Sequence, residues 1–280
     1  YVFLPQSQLA EKLVAIEKIV KTPYVVMCAD DDFVIPATVN KIIDFLDAHP
    51  DYSSGQGLYA FYDTSTILYE AYPQLYSNSL SENDSKERVL HLGKNYYQFY
   101  YAVYRKDLFF ETFKKIVNTD GYSLIKNLCI LEMYMALYGA AYSKHIVVND
   151  LFNVREYIKN SAGHWVTNLH DLLVNNQCNE EINVMYTIVD NLVLTNEKDR
   201  SISKEAIKLY CAKYYSNIST NRTIKKYLKR IIKKLYFSFF RIITESVLWN
   251  RFVEKWNHKE EDMLELNTIL SYFNQYKSAT

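Results

Sequence analysis

Apolar positions in the first fifty residues change period at a cluster of acids. Leu9, Leu13, Ile16, Ile19 and Val20 recur at helical spacing, which predicts an amphipathic helix over 7–21 that Thr22-Pro23 ends. Tyr24-Val25-Val26-Met27 is an unbroken apolar run and reads as a buried strand. After Asp30-Asp31-Asp32, Pro36 stands at the first turn of a second helix, marked by Val39, Ile42, Ile43 and Leu46 and stopping near His49-Pro50. The order helix, strand, acidic tip, helix predicts an α/β fold, in which ligands bind outside the carboxyl ends of the strands.

Further along, Gly55 to Tyr62 reads as a strand entered through a glycine turn, 77–88 as a polar surface loop, and Tyr96 to Tyr104 as an aromatic strand. Arg105-Lys106-Asp107-Leu108-Phe109 opens a helix. Leu128, Leu131, Met135, Leu137 and Tyr138 stripe another, ending near Gly139, and Ile146-Val147-Val148 is a short strand. Beyond residue 168 neither glycine nor proline occurs, which divides the chain into 1–168 and an all-α region, 169–280. Residues 170–217 fit two or three amphipathic helices.

With 280 residues, 49% of them hydrophobic, the chain can bury one large core or two modest ones. Lys+Arg 32 balance Asp+Glu 32, so overall charge favours neither nucleic acid nor an acidic substrate, and charge matters locally. The basic stretch 225–241 sets Tyr227, Leu228, Ile231, Ile232 and Leu235 on one helical face and five lysines over the other. It is too short and too charged to span a bilayer, and either rests on an anionic membrane surface or turns its lysines to water in a bundle. The 26 tyrosines are read as half-buried packing. Cys28, Cys129, Cys178 and Cys211 form no CxxC pair, which argues against a zinc site or disulfide framework and for a reducing compartment.

Chemistry concentrates at Asp30-Asp31-Asp32. Three adjacent carboxylates repel one another unless a cation or hydrogen-bond donors neutralise them. In an extended chain Asp30 and Asp32 share a face, and such a hard oxygen pair suits Mn²⁺ or Mg²⁺ completed by substrate phosphates. The alternative is a solvated acidic turn ahead of the helix at Pro36. Glu132 sits inside an apolar helix, where a carboxylate needs solvent or a partner. Ser161-Ala162-Gly163-His164-Trp165 is a small-residue turn in which His164 can donate to a diphosphate or touch a metal while Trp165 stacks; a structural histidine is the other reading.

The segment Leu9 to Pro50, with its core TPYVVMCADDDFVIP, resembles the DXD region of GT-A-fold glycosyltransferases, in particular the family-2-like enzymes of bacterial surface-polysaccharide synthesis. The resemblance implies a GT-A-like (Rossmann-like) mixed sheet flanked by helices. It implies that Asp30 and Asp32, with Asp31 between them, hold a divalent cation and through it the diphosphate of a nucleotide-sugar donor. The stretch LEMYMALYGAAYSKHIVVNDLFNVREY is similar to the family's acidic motif, helix, glycine turn, short strand and Arg-containing loop. Residue by residue it implies Glu132 as the base that deprotonates the acceptor, with Asp120 as the alternative. Arg105 would contact donor phosphate or pair with a surface acid, and Arg155 would lie beside the donor. Members of the family carry an earlier half-domain of about a hundred residues that binds the base. The expectation is therefore an N-terminally incomplete GT-A domain.

The resemblance implies a metal-dependent, inverting hexosyltransferase acting on a glycan or lipid-linked acceptor hydroxyl; the scattered cysteines point to the cytoplasm, the basic stretch 225–241 to a peripheral contact with the inner face of the membrane, and the balanced charge to no nucleic-acid partner. Two other readings stand: a non-catalytic membrane-associated or scaffold protein with a degenerate GT-A half, and a metal-dependent nucleotidyl or phosphoryl transferase using the same acidic tip.

Overall fold

The computed structural model describes residues 4, 8–30, 32–63, 67–71, 79–95, 99–157, 178–193 and 201–221. Asp31, His164, the division at 168 and the stretch 225–241 lie outside them. The described chain is α/β: a mixed six-stranded sheet with helices packed on it. The elements run α1 (Leu9–Ile16), β1 (Tyr24–Val26), β2 (Asp32–Val34), α2 (Pro36–Ala48), β3 (Tyr52–Asp63), β4 (Ile67–Ala71), α3 (Ser85–Lys94), β5 (Val103–Arg105), α4 (Lys106–Val117), α5 (Leu128–Tyr142), β6 (Lys144–Tyr157), α6 (Asn179–Val193) and α7 (Ile202–Asn221).

The strand order is β1-β5-β3-β6-β2, with β4 added to the far half of β3. Only β3 and β6 pair in parallel, and the other pairings are antiparallel. The register places Val26 level with Val103 and hence Gly55, and Asp32 level with Arg155 and hence Phe61. In a flat sheet the ends of β1 and β2 would stand about 19 Å apart across the strands and about 20 Å along them. The connection from Val26 to Asp32 reaches only about 21 Å when fully extended. The sheet therefore curls, and the acidic connection bridges its two edges.

Several expectations are corrected. The helix expected over 7–21 stops at Ile16, and Ile19 is exposed. Gly55 and Gly57 lie within β3 rather than in a turn: a Cβ on Gly55 would come within 2.7 Å of Ile42 Cγ2, so the glycine lets α2 lie close to the sheet. The polar stretch 77–88 is not a surface loop where it is described. Leu80 is buried and bridges to His145, and α3 starts at Ser85 behind Asp84, whose carboxylate accepts from the amides of Lys86 and Glu87. Arg88, also buried, donates to the carbonyls of Ala140 (2.7 Å) and Ala141 (3.1 Å) and so neutralises the C-terminal end of α5. Of the strand expected over 96–104, the described part from Phe99 becomes strand only at Val103, where β5 (Val103–Arg105) starts, because Ala102 closes a turn on Phe99. The separate strand at 146–148 and loop at 154–157 are one strand of fourteen residues; register shifts against β3 let its polar residues stay in the ladder.

The core centres on α5. Its residues from Met133 to Ala141 are all buried, so the helix is enclosed on every side instead of striped, and it runs past Gly139 to Tyr142. Tyr134 donates to Thr112 O (2.8 Å) and Tyr104 to Phe99 O, which satisfies their hydroxyls and explains how a core tolerates so many tyrosines. α6 and α7 add Ile182, Met185, Val189 and Ala206 to the same cluster, within the helical stretch expected after 170.

Two predictions follow from this packing. Gly93 of α3 meets the backbone of α7, where an added Cβ would stand 2.4 Å from Ala206 O and 2.6 Å from its Cα. Gly93→Ala is expected to lower stability in urea titration by about 1–3 kcal/mol, although alanine favours helix by about 1 kcal/mol; a stabilised variant would contradict this crossing. His145 is buried, stacked on Phe99 at 4.0 Å and hydrogen-bonded through Nδ1 to Ser54 Oγ (2.8 Å), and burial pushes its imidazole down to about 3. At pH 7 it is neutral in both states. Below its unfolded value near 6.5, only the unfolded chain takes up the proton, so stability falls as pH falls, by about 2 kcal/mol between pH 7 and 5. His145→Asn is expected to flatten that slope in denaturation curves; an unchanged slope would show that the histidine is not the cause.

Candidate functional site

The acidic connection leaves β1 at Val26 and enters β2 at Asp32. Asp32 N donates to Ala29 O at 3.2 Å, so Asp30 lies in a tight turn, not in an extended strand. The shared face expected for Asp30 and Asp32 is thus replaced by a division: Asp30 is exposed, while the Asp32 side chain is 2% exposed. The Cys28 thiol donates to the Asp32 carbonyl at 3.3 Å and holds the turn.

Asp32 stands directly across from Arg155 in the β2–β6 ladder. Arg155 Nε lies 3.1 Å from one carboxylate oxygen and 3.3 Å from the other, and its guanidinium carbon sits 4.5 Å over the ring of Tyr101. Arg155 therefore lies on a strand, not in a loop, fixed by a charge-assisted contact and by cation–π attraction. The pairs Asp32–Arg155 and Val34–Asn153 put all four residues on one face of the sheet. Asn153 is fully buried, and neither atom of its carboxamide is hydrogen-bonded.

Glu132, in the second turn of α5, is half-buried. Burial pushes the Tyr100 phenol up, and the charges of Tyr101 and Glu132 push it further. Burial and then Glu132 likewise raise the Cys129 thiol, to about 11. Glu132 thus lies within electrostatic reach of Tyr100, whose ring is 5.1 Å from that of Tyr101. Contacts join Asp32, Arg155, Tyr101 and Tyr100, and Glu132 acts on Tyr100 through its charge. The two tyrosines were legible in the sequence only as part of an aromatic run; their position ahead of a basic residue was the available signal.

Arg105 and Asp120 lie apart from this series in their bonding. Arg105 donates through Nε to Tyr52 O (2.9 Å), through Nη2 to Leu46 O and through Nη1 to the Tyr24 hydroxyl (3.2 Å), tying β1 and α2 to β3. Neither of the partners expected for it, a phosphate or an acid, is needed to hold it there. Asp120 is exposed in the turn after α4.

The donor set has the chemistry for a hard cation. Asp30 offers an accessible carboxylate, whereas Asp32 is buried and neutralised by Arg155; one carboxylate completed by phosphate oxygens is a usual Mg²⁺ arrangement. Among the described residues, which leave out Asp31, no group of three or more His, Cys, Asp or Glu side chains comes together.

No protein-family model matches the chain, and no curated protein matches it.

Asp32→Asn and Arg155→Met are each expected to destabilise the fold by about 2–3 kcal/mol, because each leaves its partner uncompensated and largely buried. Their double mutant should recover about 1–3 kcal/mol relative to the sum. Denaturant titration of the four proteins measures this coupling, and additivity would mean that the ion pair carries no energy.

Proposed function

We propose that the chain is a GT-A-type glycosyltransferase that moves a sugar from a nucleotide-diphosphate donor to an acceptor hydroxyl with inversion. The observation that carries this reading is the ion pair of Asp32 and Arg155 at the acidic strand tip, with Tyr101 against the guanidinium. It joins an acid and a cation 123 residues apart in sequence, and the charge of Glu132 is felt at Tyr100, the chain neighbour of Tyr101.

In this reading the exposed Asp30 would hold Mn²⁺ or Mg²⁺, which would supply positive charge at the leaving diphosphate, while the buried Asp32 orients Arg155. Arg155, oriented by Asp32 and Tyr101, adds a second positive charge at the donor. Glu132 accepts the proton of the acceptor hydroxyl as its oxygen forms the bond to the anomeric carbon and the carbon–phosphate oxygen bond breaks. Tyr100, its phenol raised by burial, stays protonated and serves as a donor. The acceptor is a glycan or a lipid-linked hydroxyl on the cytoplasmic side, with 225–241 as the membrane contact. No described helix is long and apolar enough to cross a membrane.

A second reading, a non-catalytic scaffold with a degenerate GT-A half, is favoured by one feature: Arg155 already supplies the counter-charge that Asp32 needs.

UDP or GDP with Mn²⁺, at about a hundred times its dissociation constant, should stabilise the protein by about 2.7 kcal/mol and raise the melting temperature by several degrees. Asp30→Asn should remove that shift. Glu132→Gln should keep it while lowering transfer from a nucleotide-sugar by about 10²–10⁴. If no nucleoside diphosphate shifts the melting curve, the scaffold reading replaces the enzyme.

A further inference from the structure

A cavity of about 300 Å³ opens between the start of α1 and the start of α5. Leu9, Ala10, Ile125, Leu128 and Leu131 make its wall apolar, and its volume is at the lower end of those that small-molecule sites occupy. Leu128 is 49% exposed, so the apolar wall reaches the surface, where a short aliphatic chain would cover it.

The polar groups of the lining differ in what they already bond. Gln8 and Glu11 cap each other's amides at the start of α1, with Glu11 accepting from Gln8 N at 2.8 Å. The Asn127 side chain accepts from Cys129 N at 2.9 Å and caps α5. The amides of Lys126 and Asn127 donate to the Glu181 carboxylate at 3.2 and 3.1 Å. Glu11 and Glu181 do not line the cavity, and both are bonded to backbone amides.

Lys126 is the one charged residue of the lining. It is exposed, and its ammonium makes no hydrogen bond or ion pair among the described residues. A lysine stem can lie along an apolar wall and keep its charge at the mouth. An aliphatic chain ending in a carboxylate matches both features: the chain takes the wall out of water, and the carboxylate meets an unpaired ammonium.

We propose that this cavity binds a medium-chain fatty carboxylate, with its chain against Leu9, Ile125, Leu128 and Leu131 and its head group on Lys126. The site is independent of glycosyl transfer, since none of Asp30, Asp32, Arg155 or Glu132 lines it.

Calorimetric titration of the full chain with octanoate at neutral pH tests it. Saturable one-to-one binding in the submillimolar range is expected, weakening as salt is raised, with 1-octanol at least fivefold and octylammonium at least tenfold weaker. Lys126→Gln should weaken octanoate at least fivefold and leave octanol unchanged, a split that a merely structural lysine would not produce. Leu128→Asp should abolish octanoate binding, and the fold should tolerate it because the residue is exposed and a carboxylate suits the first turn of a helix. The absence of saturable octanoate binding, octanol or octylammonium binding as tight as octanoate, or wild-type octanoate affinity in either variant would each overturn the assignment.

Discussion

The parallel ladder between β3 and β6 is the constraint on which the rest of the molecule depends. Parallel neighbours cannot be joined by a hairpin and need a long crossover. Here the chain between them carries β4, α3, β5, α4 and α5, and so delivers the most apolar of the described helices to the sheet. One edge of β3 takes β5 and then β4 along its length, while β6 takes β2 on its far side. Both acids of the candidate site are positioned by this ladder: Asp32 because β2 pairs with β6, and Glu132 because α5 leads directly into β6.

Electrostatics at the sheet edge follow from the same pairing. A carboxylate that is 2% exposed needs a counter-charge, and the register supplies Arg155 directly opposite. Tyr101 then holds the guanidinium from its face. The acidic triplet is therefore asymmetric. Asp32 belongs to the interior and is paired, and Asp30 belongs to the solvent and is open to a ligand. Nothing in three identical letters distinguishes them; the turn at Ala29–Asp32 does.

The polar residues of the interior are mostly absorbed by structure. Arg88 closes the carbonyl end of α5, Arg105 gathers three strands and helices through their carbonyls and a phenol, and His145 is kept neutral between Phe99 and Ser54. Against that background the Asn153 carboxamide stands out, buried and without a hydrogen bond. A buried polar group is held at a penalty unless it is paired, which is why such groups point toward binding and not toward packing.

Local chemistry in the sequence determined α2, from Pro36 to the stop before Pro50, the short strand at Tyr24–Val26, the start of α4 after Arg105 and the helices after residue 178. These elements are bounded by proline, by caps and by a clear apolar period, all of which act over a few residues. The tertiary structure alone decided that Val154 to Tyr157 is strand, since the segment reads as an Arg-containing loop until β3 pairs along it and β2 pairs with Val154 and Arg155 on the other side. It alone decided that Gly55 admits a helix instead of making a turn, and that 85–94 folds into a helix with Arg88 buried. It also decided which of the three aspartates is neutralised, because the partner, Arg155, lies 123 residues away and only strand register brings it opposite. Sequence fixes what a segment prefers by itself; a counter-charge, a close approach or a pairing edge comes from the rest of the chain, and no local pattern contains it.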